Sequence, residues 1–255
     1  AMAFNYRGFA YAILKRDYTH ALADHSEAIR LNPQDPTSYL NRAFVYAAQE
    51  DNLRAVADYS EAIRLYPQYG GAFNGRGASY SSLEDFPRAI ADFNEAIRLN
   101  PHDAAAFSNR GIAYGHMHDY SHAIADHSEA IRLYPGYGGA YNNRGRIYAA
   151  LKDYPKAIAD YSEAIRLVPS GALAYCNRAI VFHRMGDIAR ALADYNAALA
   201  RDPGDMRARY GRGAAQIQIG KTASGQADIE AATAAKPSVI KEFAEEGLQP
   251  PFSGK

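Results

Sequence analysis

The chain has 255 residues, with 28 Lys plus Arg against 28 Asp plus Glu, 48% hydrophobic and 22% charged residues. That balance is the one expected of a soluble globular chain, and zero net charge argues against nucleic acid as a partner, because phosphate recognition draws on a surplus of Lys and Arg. No apolar run approaches the roughly 20 residues that cross a bilayer, so no membrane insertion is expected, and the lone Cys176 has no intrachain partner for a disulfide.

The N-terminus lacks the basic and apolar regions of a secretory signal. Ala1-Met2 nevertheless reads as a trimmed end, which leaves a leader and the localisation open. Downstream, prolines stand at Pro33, Pro67, Pro101, Pro135, Pro169, Pro203 and Pro237, each 34 residues after the last. Proline is about 5% of average sequence, so this period is the architecture. In chain order the repeats are 1–35, 36–69, 70–103, 104–137, 138–171, 172–205 and 206–239. The first is one residue longer, with Lys15-Arg16-Asp17 where Lys152-Asp153 stands later, and the extra residue is assigned to a turn.

Each repeat predicts two helices. In 138–171, Tyr141, Gly145, Tyr148 and Leu151 fall at helical spacing, Asp153 offers a capping oxygen, and Pro155 fits a first helical turn. Ala157, Ile158, Tyr161, Ala164, Ile165 and Leu167 then form a second helix that Val168-Pro169 ends. Small residues recur where helices must touch (Gly8, Ala43, Gly77, Gly111, Gly145, Ala179, Gly213), and aromatic residues where gaps must be filled (Tyr11, Tyr46, Tyr80, Tyr114, Tyr148, Phe182). The seventh repeat departs from the pattern at Arg209, Gln216 and Gly225, as expected of a terminal unit with a more polar outer face. Residues 240–247 read as a capping helix and 248–255 as a flexible tail.

The 34-residue period, the helix-turn-helix unit and the columns of Gly145, Tyr148, Ala157, Ala164 and Pro169 resemble the tetratricopeptide repeat, in a bacterial-type array, over residues 1–239. The resemblance implies an all-α fold, a right-handed α-α superhelix of seven helix-turn-helix repeats plus the C-terminal capping helix. It implies a concave groove, lined by first helices, that holds a peptide or a helix of a partner protein. It also implies a non-catalytic role with no cofactor. A chaperone-tail clamp is not expected, because Thr37, Gly71, Ala105, Gly139 and Leu173 stand where the family's clamping lysine would.

Two charged columns accompany the period: Arg7, Arg42, Arg76, Arg110, Arg144, Arg178 and Arg212, and Asp24, Asp58, Asp92, Asp126, Asp160, Asp194 and Asp228. Their count and placement predict a ladder of bidentate pairs between the two helices of each repeat; the alternative is a row of groove arginines for an acidic ligand. A further row, Glu27, Glu61, Glu95, Glu129 and Glu163, precedes Arg30, Arg64, Arg98, Arg132 and Arg166 by three residues, the spacing of surface helix pairs.

The candidate groove carries Asn41, Asn109, Asn143 and Asn177 just before column arginines, with Asn5, Asn74 and Asn142 one place earlier. An amide both donates and accepts, so a row of them can hold an extended backbone whatever its side chains; the alternative is that the amides only support the stack. Around that row the groove reads aromatic at its N-terminal end (Phe9, Phe44) and basic toward its C-terminal end (Arg146, His183, Arg184, Arg207). A ligand with an apolar and an acidic segment fits that gradient.

Three catalytic patterns are weak. Gly220-Lys221-Thr222 follows a helix rather than a strand, so it does not form a phosphate loop. His118 and His122 lack further ligands for a metal, and Cys176 near His183 lacks a third group, so it reads as a partly exposed small residue. The alternatives to a binding scaffold are a homo-oligomer assembled through the tyrosine-rich loops of Tyr66, Tyr69, Tyr134 and Tyr137, and an interaction fragment of a larger protein.

Overall fold

The computed structural model describes residues 1–248. The described residues contain helices and no strand, and they divide into two compact units, Ala1–Leu133 and Tyr134 onward. The first unit holds α1 (Met2–Ala10) to α8: α2 Tyr18–Leu31, α3 Pro36–Ala48, α4 Asn52–Leu65, α5 Gly70–Ser82, α6 Phe86–Leu99, α7 Ala104–His116 and α8 Tyr120–Leu133. The second holds α9 Gly138–Ala150, α10 Tyr154–Leu167, α11 Ala172–Arg184, α12 Ile188–Arg201, α13 Met206–Gln218, α14 Thr222–Ala235 and the short α15 Val239–Glu245. Odd- and even-numbered helices up to α14 pair as hairpins, and within each unit every hairpin packs on the next.

The hairpin follows from its punctuation. Asp17, Asp51, Asp85, Asp153 and Asp187 each accept a bond from a backbone N–H three residues on, which satisfies an orphan donor at the start of a second helix. Just before them the chain turns through the left-handed region at Arg16, Glu50, Glu84, Lys152 and Gly186. The extra residue of the first repeat is not in that turn, as the sequence suggested. It lies inside the first helix, where Tyr11–Lys15 form a π-helical turn. Asp17 N–H still bonds the Tyr11 carbonyl (3.0 Å), as Asp51 N–H bonds that of Tyr46 (2.9 Å). With both ends of the turn fixed, the helix takes up the extra residue by widening its last turn.

The small residues let paired helices approach. Ala21, Ala28, Ala55, Ala62, Ala89, Ala123 and Ala130 are fully buried in the first unit, as are Ala157, Ala191 and Ala198 in the second. At Gly77, a Cβ would stand 2.8 Å from the Phe93 ring and 3.1 Å from the Ala89 carbonyl oxygen, so a side chain there would force the hairpin open. Stacking matters more than any single hairpin, since a helix of 13 or 14 residues is only about 20 Å long and its apolar stripe is covered by the neighbouring repeat.

The arginine and aspartate columns form the expected bidentate pairs in every repeat, at 2.6–2.9 Å. Arg42, Arg76 and Arg178 also donate to Ser26, Ser60 and Ser162, and Arg110 donates to Asn94, on the second helix of the preceding repeat. One guanidinium thus ties three helices, which fixes the register of neighbouring repeats. The Glu and Arg rows form exposed pairs three residues apart.

Candidate functional site

In the first unit, the faces of α1, α3 and α5 turned away from the hairpin contacts border a groove of about 530 Å³. Phe9, Asn41, Phe44, Asn74 and Asn109, all expected from the sequence to face a ligand, line it together. Phe9 and Phe44 are half exposed there (50% and 47%), and Ile13 from the π-helical turn stands with them (47%), so large apolar surface is left in water. Leu40 and Ala47 continue the apolar wall, while Ser79, Ser82 and Asn52 add polar groups.

Apart from Asn143, the asparagines of the row pair with each other across repeats rather than with helix backbone. Asn41 Nδ2 donates to Asn5 Oδ1, Asn109 Nδ2 to Asn74 Oδ1, and in the second unit Asn177 Nδ2 to Asn142 Oδ1, each at 3.0 Å. One bond uses one donor of one amide and one acceptor of the other, and Asn41, Asn74 and Asn109 keep further donors and acceptors. Asn41, Asn74 and Asn109 are half-buried and line the groove.

Sequence reasoning missed the floor. A column of ring side chains on the second helices, His25, Tyr59, Phe93, His127, Tyr161 and Tyr195, is buried throughout. His25 and Tyr59 line the groove from below. The 34-residue period carried this signal too, but mixed His, Tyr and Phe concealed it. His25 Nδ1 stands 2.8 Å from Asn5 Oδ1, within a chain His25–Asn5–Asn41. Burial pushes the His25 imidazole down to about 4, so it is neutral at pH 7.

The second unit arranges its predicted residues differently. Arg146 is exposed and Asn143 half-buried, whereas Asn142 and Asn177 are buried (7% and 5%). His183, expected in an open basic groove, is buried at 4%, between Tyr195, Gln218 and Phe243. Arg207 is only partly exposed and donates to Glu246 Oε1 at 3.0 Å, and Arg184 lies over the Tyr154 ring. His183, Arg184 and Arg207 are covered, unlike Arg146, because the chain's own C-terminal segment rests on them. Leu248, the first residue of the predicted tail, is buried (8%); 249–255 lie outside the described residues. Cys176 is fully buried rather than partly exposed, and burial pushes its thiol up.

Three family models match the sequence: one described as TPR repeat over residues 145–186, one as Tetratricopeptide repeat over 71–103 and 172–205, and another of the same description over 13–70. The chain belongs to the tetratricopeptide repeat family. No curated protein matches it. Among solved structures, a tetratricopeptide repeat protein from Parabacteroides merdae aligns with TM-score 0.73 at 20% identity, over 96% of this chain and 97% of that one. A chain of the APC/C hetero-tetramer Cut9-Hcn1 aligns with TM-score 0.74 at 19% identity, over 81% of this chain, which spans 41% of that protein. YrrB, described as a TPR protein with an unusual peptide-binding site, aligns with TM-score 0.55 at 22% identity, over 72% of this chain and 95% of YrrB. At these identities the likeness shows the fold.

Tetratricopeptide repeats are protein–protein interaction scaffolds. In this array the weak catalytic patterns resolve into structure. Residues 215–218 are helical and Gly220 is a turn residue at φ +82°. His118 bonds the Tyr120 hydroxyl, and His122 bonds the capping Asp119. Among the described residues no three His, Cys, Asp or Glu side chains gather as metal ligands.

Proposed function

We propose that the first unit binds an extended segment of a partner protein in the groove between Phe9, Phe44 and the asparagine pairs, and that this role is non-catalytic. The observation that carries the reading is the convergence of half-exposed Phe9, Ile13 and Phe44 with Asn41, Asn74 and Asn109 around one open groove. An apolar side chain of the ligand would settle against the phenylalanines, replacing water over exposed apolar surface. The amides would take up its backbone N–H and C=O groups, a mode that favours no particular side chains. The peptide-binding site named for YrrB lends support by analogy of fold. Zero net charge speaks against nucleic acid as the ligand.

A displayed peptide library selected on the whole chain tests this. Selected peptides should share a large apolar residue. Their affinity should fall at least tenfold with Phe44→Glu and severalfold with Asn109→Ala, at an unchanged helical circular dichroism signal. Peptides that bind both variants as tightly as the parent chain would remove the groove from consideration.

A second reading, self-association, rests on Tyr66 and Tyr134, which are 51% and 58% exposed at equivalent loops of the two units. Light scattering that shows a monomer at high concentration would reject it.

A further inference from the structure

The surface that α15 covers has a counterpart in the first unit. α15 touches His183 and Tyr210, its C-cap Glu246 touches Arg207, and beneath them Gln218 bonds His183. Four periods earlier these positions are Ala47, Gly71, Asn74 and Ser82, all of which line the open groove of the first unit. α15 therefore rests where a groove ligand would.

Its seating is that of a bound helix. Phe243 is the anchor, 2% exposed, with its ring centroid 5.0 Å from Tyr210 and 5.9 Å from His183, both edge-on. Val239 is fully buried one turn earlier, while Ile240 on another side is 44% exposed. Three residues after the anchor, Glu246 accepts from Arg207 at 3.0 Å. The helix then stops at Gly247 (φ +74°), with Leu248 N–H bonded to the Phe243 carbonyl and Gly247 N–H to that of Ala244, a Schellman closure. Gly247 also lets the chain pass Arg184, whose Nη2 would be 3.2 Å from a Cβ there. The surface contributes aromatic edges and two cations; α15 contributes a ring and a carboxylate.

We propose that the α11–α13 face is a binding site for an amphipathic helix that carries an aromatic residue three positions before a carboxylate. α15 is its resident occupant, and a partner helix of the same pattern enters by displacing it. The site is separate from the groove of the first unit and stands whether or not that groove takes a peptide. The tether to α14 is short, so α15 competes at an effective concentration in the millimolar range and masks the site from weaker helices. Only the fraction of molecules with α15 released is open to a partner, and apparent affinity falls in proportion.

The probe is a labelled synthetic peptide of residues 238–248, titrated into the full chain and followed by fluorescence anisotropy. The parent chain should bind it weakly. Phe243→Ala, which releases α15, should bind at least tenfold more tightly, and Arg207→Glu added to Phe243→Ala should abolish the gain. Glu246→Lys, which removes the ion pair and leaves the anchor in place, should give a smaller gain in the same direction and serves if Phe243→Ala unfolds. Asn109→Ala should leave the affinity unchanged, which separates this site from that of the first unit. Equal affinity for the parent chain, Phe243→Ala and Glu246→Lys would overturn the proposal, as would a gain that survives Arg207→Glu. A parent chain that dimerises and excludes the peptide at all concentrations would also overturn it, assigning the site to exchange of α15 between two copies.

Discussion

The two compact units are built from the same hairpin and differ in what their first helices face. In the first, Phe9, Ile13 and Phe44 are left half exposed around an open groove. In the second, the equivalent face carries His183, Arg207 and Tyr210, and the C-terminal segment with α15 sits on it. The framework beneath is common to both, with each hairpin carrying its arginine–aspartate pair and its buried alanines. What a repeat array binds is thus set by a few first-helix positions that the framework does not constrain. The framework can be broken equally in both units, and the faces only separately.

The largest effect should come from the framework. Asp92→Ala in the first unit or Asp194→Ala in the second leaves a guanidinium, 20% exposed in each case, without its carboxylate. Breaking a buried pair from one side costs about 3–5 kcal/mol, and partial exposure places these at the low end of that range. Because the geometry is the same, the two variants should lower the midpoint of thermal unfolding, followed by circular dichroism, by similar amounts. A loss in one unit alone would mean that the columns are equivalent in sequence but not in energy.

A second effect separates the faces by pH. Burial lowers both His25 and His183 to about 4. Between that value and the unfolded value near 6.5, the unfolded chain takes up protons that the folded chain refuses. Stability is therefore full above about pH 6.5 and falls as pH drops toward 4, by up to roughly 1.4 kcal/mol per pH unit for each histidine. The cover differs, however: His25 is held by Asn5, and His183 lies under Phe243. In Phe243→Ala, nuclear magnetic resonance titration should show His183 rising toward its ordinary value while His25 stays depressed. A joint rise would mean that releasing α15 loosens the first unit as well.

Recurrence explains what was legible in the sequence. The hairpin, the alanine contacts and the Arg7–Asp24 type of pair recur at each period, so each left a column of identical residues that could be read without coordinates. The asparagine row was legible as a row, but its pairing was not. The bond from Asn109 to Asn74 joins positions 35 residues apart, one off the period, and only the twist between neighbouring hairpins brings them together. Events that occur once left no column. The π-helical turn at Tyr11–Lys15 answers to a single insertion, and the placement of α15 depends on Phe243 meeting His183 and Tyr210 at one end of the array. His183, Arg184 and Arg207 were read as an open basic surface because periodicity locates a face without revealing what rests on it.

The smallest effect sharpens the comparison at the turns. In the first unit every hairpin turn passes through the left-handed region on a side chain, at Arg16, Glu50, Glu84 and His118, whereas the second uses Lys152, then Gly186 and Gly220. A side chain in that conformation costs about 1–2 kcal/mol, and glycine gives back roughly 0.5–1 kcal/mol of this through the greater freedom of the unfolded chain. Glu50→Gly or Glu84→Gly should therefore stabilise by about 0.5–1 kcal/mol, and Gly186→Ala or Gly220→Ala should destabilise by a similar amount. The reverse substitutions isolate the backbone contribution, because a Cβ at Gly186 or Gly220 would meet nothing within 4 Å. Hydrogen exchange resolved by repeat is the suitable measurement, since opening in an array is local. If protection rises around Glu84→Gly but does not fall around Gly186→Ala, the second unit's turns are held by packing rather than by glycine, and its two glycines need another explanation.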